Sequence, residues 1–189
     1  DYIIHCAKGP GETNVKGTEN LLKIASKKSL KRFVHLSTAE IYGSVSGYID
    51  ENAPFQYTGN DYNRTKIDAE KICWTYINAG VPVTIVRPAI VYGPFSNSWS
   101  VRFAKMFIAG NGMTYEKIGD GKCNLIYVDD LARAIILMLD HENAVGQAYN
   151  INGSDVITWN QYFKKYNDSM GLPPLKHLSY NQARIQTLG

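Results

Sequence analysis

The stretch Arg32-Phe-Val-His-Leu-Ser37 is a short apolar run, which predicts a buried β-strand. A second run, Val81-Pro-Val-Thr-Ile-Val-Arg87, is continuously apolar, as strands of a parallel sheet covered on both faces are. Between the two runs, residues 61–79 predict a long helix with Gly80 as its C-cap. A strand, a helix and a strand in this order form a βαβ unit, so we expect an α/β fold with a mostly parallel sheet.

Strands and helices alternate on both sides of this unit as well. Residues 1–7 predict a strand and residues 13–29 a helix, whose C-terminal lysines complement the helix dipole. The segment 39–59 is rich in Gly, Ser and Tyr and is expected to run over the surface. Ligands of such sheets bind at the carboxyl ends of the strands. Further helices are predicted at 99–109, from Asp129 or Asp130 to Leu139, and from Thr158 to Met170, where Thr158 and Gln161 form a capping box. Short strands are predicted near 113–118, 123–128 and 148–151.

The composition excludes several classes of protein. The chain has 189 residues, of which 44% are apolar, and its formal net charge is +3. This charge is too small to indicate a nucleic-acid partner, and the apolar runs are too short to span a membrane. Cys6, Cys73 and Cys123 lack the spacing of a zinc site, so we expect free thiols, no metal site and a cytoplasmic location.

Tyr62 and Lys66 are four residues apart on a predicted helix, so both side chains project from one face. A phenol has a pKa of about 10, and a nearby ammonium lowers that pKa because it favours the phenolate. A tyrosine tuned in this way can transfer a proton to or from a substrate hydroxyl. Ser37 and Thr38 end the predicted strand, where a hydroxyl could hold the same substrate oxygen. Alternatively, Tyr62 and Lys66 are an exposed pair on the helix surface, and the Ser37 and Thr38 hydroxyls end the strand or cap a turn.

Five blocks of sequence together resemble one family, the extended short-chain dehydrogenase/reductases, and most closely their nucleotide-sugar epimerase/dehydratase branch. The resemblance implies a partial Rossmann-type parallel sheet flanked by helices, with a small mixed α/β substrate-binding part. Residues 1–94 would be the C-terminal portion of the NAD(P)-binding domain, and 95–189 mainly the substrate-binding part, with 123–151 returning to the Rossmann core. The blocks are Asn14-Val-Lys-Gly-Thr18, Leu36-Ser-Thr-Ala-Glu-Ile-Tyr-Gly43, Tyr62-Asn-Arg-Thr-Lys66, Arg87-Pro-Ala-Ile-Val-Tyr-Gly-Pro94 and Tyr127-Val-Asp-Asp-Leu131.

The resemblance also implies roles for individual residues. Thr38 matches the family's catalytic Ser/Thr, Tyr62 the general acid/base, and Lys66 the lysine that binds the nicotinamide ribose and tunes the tyrosine. The implied cofactor is NAD or NADP, with NAD favoured, and it would take a hydride from a sugar carbon and later return it. The residues implied in cofactor binding are Ala7, Asn14, Ser37, Tyr62, Lys66 and Pro88.

Glu40 lies two positions after Thr38, where dehydratases and decarboxylases of the family place a second catalytic acid. Many dehydratases carry an Asp before this Glu, whereas this chain has Ala39. Glu40 is therefore a candidate catalytic residue that keeps dehydratase or decarboxylase chemistry possible, while Ala39 weakens the case for a dehydratase. The alternative is a solvated glutamate at the edge of a loop.

A second departure from the family concerns the substrate. Asn124 stands where sugar-nucleotide enzymes of the family carry an arginine for the diphosphate. Either a cation such as Arg102, Lys105 or Lys122 substitutes, or the substrate lacks a diphosphate. We treat Arg102 and Asn124 as the candidate substrate-binding residues of a nucleotide-sugar site.

The segment Gly9-Pro-Gly11 imitates the start of a dinucleotide loop, but it lacks the rest of the motif and is interpreted as a connection. The resemblance therefore implies an N-terminally truncated form of the family. The alternatives are a ketone or alcohol oxidoreductase of the same family and a non-catalytic binding fragment. Family members dimerise through the tyrosine helix, so a homodimer is an expectation; Ile72 and Trp74 would serve there, and core packing explains them equally well.

Overall fold

A computed structural model describes residues 1–186, and these form two compact units. The first unit comprises residues 1–89 and 129–151, and the second comprises 90–128 and 152–189. The division falls at residue 89, before the expected boundary at 94, and residues 123–128 belong to the second unit. The reason is a strand pairing, because β4 (Ile90–Tyr92) pairs with β7 (Leu125–Tyr127) and not with the sheet of the first unit.

The first unit contains a four-stranded parallel sheet in the order β1-β2-β3-β8, which confirms the expected sheet. Residue Tyr2 of β1 lies opposite Arg32 of β2, and Phe33 of β2 lies opposite Val83 of β3. The carboxyl ends of the strands therefore lie along one edge. The elements are β1 (Tyr2–His5), α1 (Glu12–Ala25), β2 (Arg32–Leu36), α2 (Asp61–Asn78), β3 (Val83–Pro88), α4 (Val128–Asp140) and β8 (Ala148–Ile151).

The core of this unit lies between the sheet and helices α1 and α2. Phe33 and Val83 from the sheet pack with Leu22 of α1 and Cys73 of α2, and all four are fully buried. Ile72 and Trp74 are partly buried and pack against this cluster. Helix α2 ends where predicted, because Gly80 adopts a φ of 84°, which glycine allows at low cost.

The second unit is built from short strands and three helices within the described residues. Its pairs are β4 with β7 and β5 with β10, both parallel, and β6 with β9, which is antiparallel. The predicted capping box at the start of α5 is confirmed, since Thr158 and Gln161 bond reciprocally. The remaining elements are α3 (Arg102–Ile108), β5 (Met113–Tyr115), β6 (Lys122–Cys123), β9 (Ile157–Thr158), α5 (Trp159–Ser169), β10 (Lys176–Leu178) and α6 (Tyr180–Gln186).

Three local expectations differ from the structure. The helix expected at 99–109 starts as a π-helical turn, Asn97–Val101, and continues as α3. Helix α4 begins at Val128, so Asp129 and Asp130 lie in its first turn and do not precede it. The segment 39–59 is not confined to the surface. It includes the fully buried Ile41 and the buried Tyr42, which form a small apolar cluster with Ile67 of α2.

Candidate active site

Tyr62 lies in the first turn of α2, where the cap fixes its backbone. Asn60 precedes the helix in an extended conformation, and its side-chain oxygen accepts a hydrogen bond from the Tyr62 amide at 2.8 Å. The phenol is half-buried and lies near the carboxyl edge of the sheet, because α2 begins beside the turn that follows β2. The expected acid/base candidate is therefore held by a helix terminus and not by a mobile loop.

Thr38 caps the short 3₁₀ turn Ala39–Tyr42, and its hydroxyl accepts a hydrogen bond from the Glu40 amide at 3.2 Å. The same hydroxyl lies close enough to the Tyr62 phenol to lower its pKa, because hydrogen bonding by Thr38 favours the phenolate. The structure therefore brings Thr38 and Tyr62 together. A substrate hydroxyl at this point would meet two side-chain hydroxyls, one of which can take its proton.

Glu40 lies on the same turn, and its exposed carboxylate is close enough to Tyr62 for its charge to raise the pKa of the phenol. Burial raises that pKa more strongly, and the hydrogen bond from Thr38 opposes both effects, so the pKa of Tyr62 lies above its usual value. A cation is therefore needed if this tyrosine is to act as a base near neutral pH.

Lys66 is one helical turn beyond Tyr62, and its side chain is buried. Its ammonium donates a hydrogen bond to the carbonyl oxygen of Leu36 at 2.7 Å, which attaches α2 to the end of β2. Burial lowers the pKa of Lys66, and the positive charge of Lys8 lowers it further. The Lys66 ammonium thus lies at the end of β2, with a backbone carbonyl as its hydrogen-bond partner.

Two buried polar side chains, one on β2 and one directly after it, make no hydrogen bond with the described residues. The Ser37 hydroxyl and both ring nitrogens of His35 make no hydrogen bond there, although Ser37 is 3% and His35 is 2% exposed. Burial, the charge of Lys66 and the neighbouring His5 lower the pKa of His35 to about 3, so His35 is neutral. An unsatisfied hydroxyl at a strand end beside a buried ammonium is a donor and acceptor that is free to bind a ligand.

The other expected cofactor residues also follow or flank strand ends of the first unit. Asn14 of α1 is buried, and its side-chain oxygen accepts a hydrogen bond from the Gly9 amide at 3.3 Å. Ala7 is exposed in the connection between β1 and α1, and Pro88 is the buried last residue of β3. One edge of the sheet therefore carries all three residues: Ala7 after β1, Ser37 after β2 and Pro88 at the end of β3.

The substrate-binding candidates lie in the second unit. Arg102 is the exposed first residue of α3. Asn124 is exposed between β6 and β7, and its carbonyl oxygen accepts a hydrogen bond from the Ile90 amide at 3.1 Å. Both side chains are exposed, and both residues belong to the second unit.

Sequence reasoning missed the residues that hold the turn after β2 in place. The Asn63 side chain is fully buried; it donates to the carbonyls of Glu40 at 2.6 Å and Gln56 at 3.1 Å, and accepts from the Thr58 amide. These bonds fix both ends of the segment that carries Glu40. The available signal was an amide directly after the tyrosine in the first turn of the predicted helix.

A second missed feature is a buried ion pair behind the site. Arg87 donates to both carboxylate oxygens of Glu70, at 2.8 Å in its shortest contact, and to the phenol of Tyr42. It also donates to the Glu51 carbonyl at 2.9 Å. Glu70 follows Lys66 by one helical turn, and this spacing on a buried helix face was the signal for it.

Residues 1–186 contain no group of three or more His, Cys, Asp or Glu side chains that could hold a metal ion. The thiols of Cys6, Cys73 and Cys123 are free, and burial raises the pKa of Cys123 to about 12. None of the helices in the described part of the chain is long and apolar enough to cross a membrane.

Residues 1–152 match the NAD dependent epimerase/dehydratase family. The chain belongs to this family. It is 33% identical to a dTDP-glucose 4,6-dehydratase of Streptomyces niveus, over 84% of this chain and 48% of that protein. It is 32% identical to a UDP-N-acetyl-alpha-D-glucosaminuronate decarboxylase of Bacillus cytotoxicus, over 76% of this chain and 47% of that protein. The chain thus spans about half the length of the curated relatives that it matches.

Solved structures confirm the Rossmann-type fold. The UDP-glucuronic acid 4-epimerase of Bacillus cereus in complex with NAD superimposes with a TM-score of 0.84 at 25% identity, covering 95% of this chain and 63% of that one. A dTDP-glucose 4,6-dehydratase of Streptomyces venezuelae, also with NAD bound, gives a TM-score of 0.79 at 27% identity, covering 95% of this chain and 61% of that one. The proteins that this chain resembles in sequence or in structure thus include epimerases, dehydratases and a decarboxylase of nucleotide sugars.

Proposed function

We propose that the native protein containing this chain is an NAD-dependent enzyme that acts on a nucleotide sugar, with Tyr62 as its general acid/base. The observation that carries the proposal is the placement of the Thr38 hydroxyl next to the Tyr62 phenol at the carboxyl edge of a parallel sheet. Ligands of such sheets bind at this edge. The family match, and relatives named as nucleotide-sugar epimerases, dehydratases and decarboxylases, support the same chemistry.

The residues at this edge suit a dinucleotide. The Ser37 hydroxyl is buried without a partner among the described residues, and the ammonium of Lys66 lies at the same strand end. Both groups can bind ribose hydroxyls, and the Asn14 amide and the backbone at Ala7 and Pro88 would flank the nicotinamide half. When bound, NAD supplies a reversible hydride acceptor, which is what transient oxidation of a sugar carbon requires.

The side chains of the chain itself then perform the proton chemistry. Thr38 holds the sugar oxygen by a hydrogen bond, and Tyr62 removes the proton from that oxygen and later returns it. Glu40 is the second proton acceptor that dehydration or decarboxylation would use, because its carboxylate is exposed on the same turn as Thr38. Arg102 and Asn124 are assigned to the nucleotide side of the substrate. A cytoplasmic location and a homodimer through α2 belong to the same proposal.

A second candidate is a ketone or alcohol oxidoreductase of the same family, which the neutral side chain at Asn124 favours over a diphosphate substrate. The two candidates differ in how the cofactor is used. An epimerase or dehydratase regains its NAD at the end of each turnover and can retain it, whereas an oxidoreductase must exchange NAD(P)(H) with solvent. Cofactor that survives gel filtration and supports turnover without added NAD would support the sugar-modifying enzyme.

Replacement of the acid/base tests the proposal directly. In the native protein, Tyr62→Phe should lower the turnover of UDP-linked or dTDP-linked hexoses by about 10²–10⁴-fold and leave cofactor binding nearly intact. The matched control is Tyr57→Phe, five residues upstream, whose exposed hydroxyl bonds to Asp68 and Lys71. Near-native turnover in Tyr62→Phe, or equal losses in both variants, would overturn the assignment of Tyr62.

A further inference from the structure

The connection between β1 and α1 carries a lysine that the motifs of the sequence do not use. β1 ends at His5 and α1 begins at Glu12, so the connection is short. Within it, the ammonium of Lys8 lies over the ring of Tyr62, 4.7 Å from the ring centroid. A cation at this distance from an aromatic face is attracted by the electron density of the ring.

The position of Lys8 is set by the connection that carries it. The Gly9 amide donates to the side chain of the buried Asn14 at 3.3 Å, so the backbone next to Lys8 is bound to α1. A Cβ at Gly9 would lie only 3.0 Å from the side chain of Thr13, so a larger residue would crowd this neighbour. Gly11 has a φ of 47°, at which any other residue would strain the backbone. The tightness of the turn therefore keeps Lys8 close to the start of α2.

Three groups with hydrogen-bonding capacity or charge lie near the side chain of Tyr62. Thr38 and Glu40 come from the turn after β2, and Lys8 comes from the β1–α1 connection. Lys66 uses its ammonium to bind the Leu36 carbonyl. The ammonium recorded against the ring of the tyrosine is that of Lys8, and its charge also reaches Lys66, whose pKa it lowers.

We propose that Lys8 is a positioning residue for Tyr62, whose ammonium holds the ring by its face and stabilises the phenolate that acid/base catalysis requires. An ammonium near the ring interacts more strongly with a phenolate than with a neutral phenol, since the phenolate adds a full negative charge. The interaction faces less water than the comparable contacts of Lys31 with Tyr2 and Lys71 with Tyr57, because both of those tyrosines are exposed. The effect of Lys8 on catalysis rests on the proposed function, whereas its effect on the Tyr62 phenol does not.

The titration of the phenol at position 62 tests this inference without any assay of activity. A difluorinated tyrosine placed at position 62 of the full chain titrates at lower pH than tyrosine, and fluorine NMR reports this ring alone. Lys8→Met should raise the pKa of the phenol by about half a unit. Lys8→Arg keeps the positive charge and should leave the pKa near that of the unsubstituted chain.

Lys31→Met is the matched control. It removes an equal charge from above the ring of another tyrosine, Tyr2, at the start of β1. It should leave the pKa at position 62 unchanged, which excludes an effect of net charge. An unchanged pKa in Lys8→Met, or an equal rise in Lys31→Met, would overturn the inference. Circular dichroism of each variant establishes that the fold is intact.

The outcome is separable from that of the proposed function. If Tyr62→Phe retains activity while Lys8→Met raises the pKa of the phenol, the proposed role of Tyr62 fails and the contact with Lys8 stands. If both hold, Lys8→Met in the native protein should move the ascending limb of the pH–rate profile, which reports formation of the phenolate, to higher pH by the same half unit or so, and Lys8→Arg should restore it.

Discussion

The interior of the first unit contains a buried ion pair and buried amides, whereas the interior of the second unit is built from aromatic rings. Glu70 and Arg87 are 0% and 2% exposed, and Asn63 and Lys66 are buried on the same helix as Glu70. The rings that contact one another in the second unit belong to Trp99, Phe103, Phe107, Trp159, Tyr162, Phe163 and Tyr166. The first unit therefore adds buried ionic and amide groups to its apolar core, whereas the second relies on aromatic rings.

The difference follows from what each interior holds in place. In the first unit, Arg87 binds Glu70 on α2, the Tyr42 phenol and the Glu51 carbonyl, and so joins the sheet to the segment that carries the candidate site. Directional bonds of this kind fix one geometry, which a catalytic site needs. Rings in the second unit gain their stability from buried area, which depends less on orientation. Position is therefore specified more tightly where the proton chemistry is proposed.

The largest expected effect comes from breaking the ion pair. Glu70→Ala leaves Arg87 buried without its carboxylate and should lower the free energy of unfolding by about 3–5 kcal/mol. Urea unfolding followed by circular dichroism measures the loss. Asp168→Ala is the control, because it breaks the exposed Lys164–Asp168 pair of the second unit and should cost far less. Similar losses in the two variants would contradict the distinction between the units.

Acid should destabilise the first unit through His35. The pKa of His35 in the folded chain is about 3 against a usual 6.5, because burial disfavours the charged ring. Below pH 6.5 the unfolded chain therefore binds a proton that the folded chain does not, and stability falls as the pH falls toward 3. Between about pH 6 and about pH 4, the free energy of unfolding should fall by about 2 kcal/mol less in His35→Leu than in the parent chain.

The measurement is urea unfolding at each pH, with the exposed His141 as the control site. His141→Gln should leave the pH dependence unchanged, because its ring is exposed. At neutral pH, His35→Leu should cost little, since the ring nitrogens make no hydrogen bond within the described residues. An acid dependence that is the same in His35→Leu as in the parent chain would refute the prediction.

The smallest effect is expected from a conservative change among the rings. Phe107→Leu keeps a buried apolar side chain but loses the contacts with the rings of Phe103, Phe163 and Tyr166, so it should cost about 1–2 kcal/mol. Thermal unfolding at low and high salt should show the same loss, because no charge is involved. Ile108→Ala on the exposed face of the same helix is the control, and a loss there as large as in Phe107→Leu would show that the ring contacts contribute nothing.

Local patterns were enough to predict much of the first unit. The apolar runs around Phe33 and Val83 and the glycine stop at Gly80 act over a few residues, so they can be recognised in the sequence, and the same holds for the capping box at Thr158 in the second unit. The blocks around Thr38 and Tyr62 identified the family for the same reason. The π-helical start of the α3 region was missed, because tertiary packing and not the local repeat of apolar residues decides it.

The sequence by itself determined the α/β class, the family and the candidates Thr38, Tyr62 and Lys66, because each depends on short-range spacing or motif order. Only the tertiary structure decided which charges meet. The pairing of Arg87 with Glu70 and the placement of Lys8 over Tyr62 join residues that are distant along the chain. Electrostatic and ring interactions depend on distance in space, and that distance is set when the helices pack on the sheet.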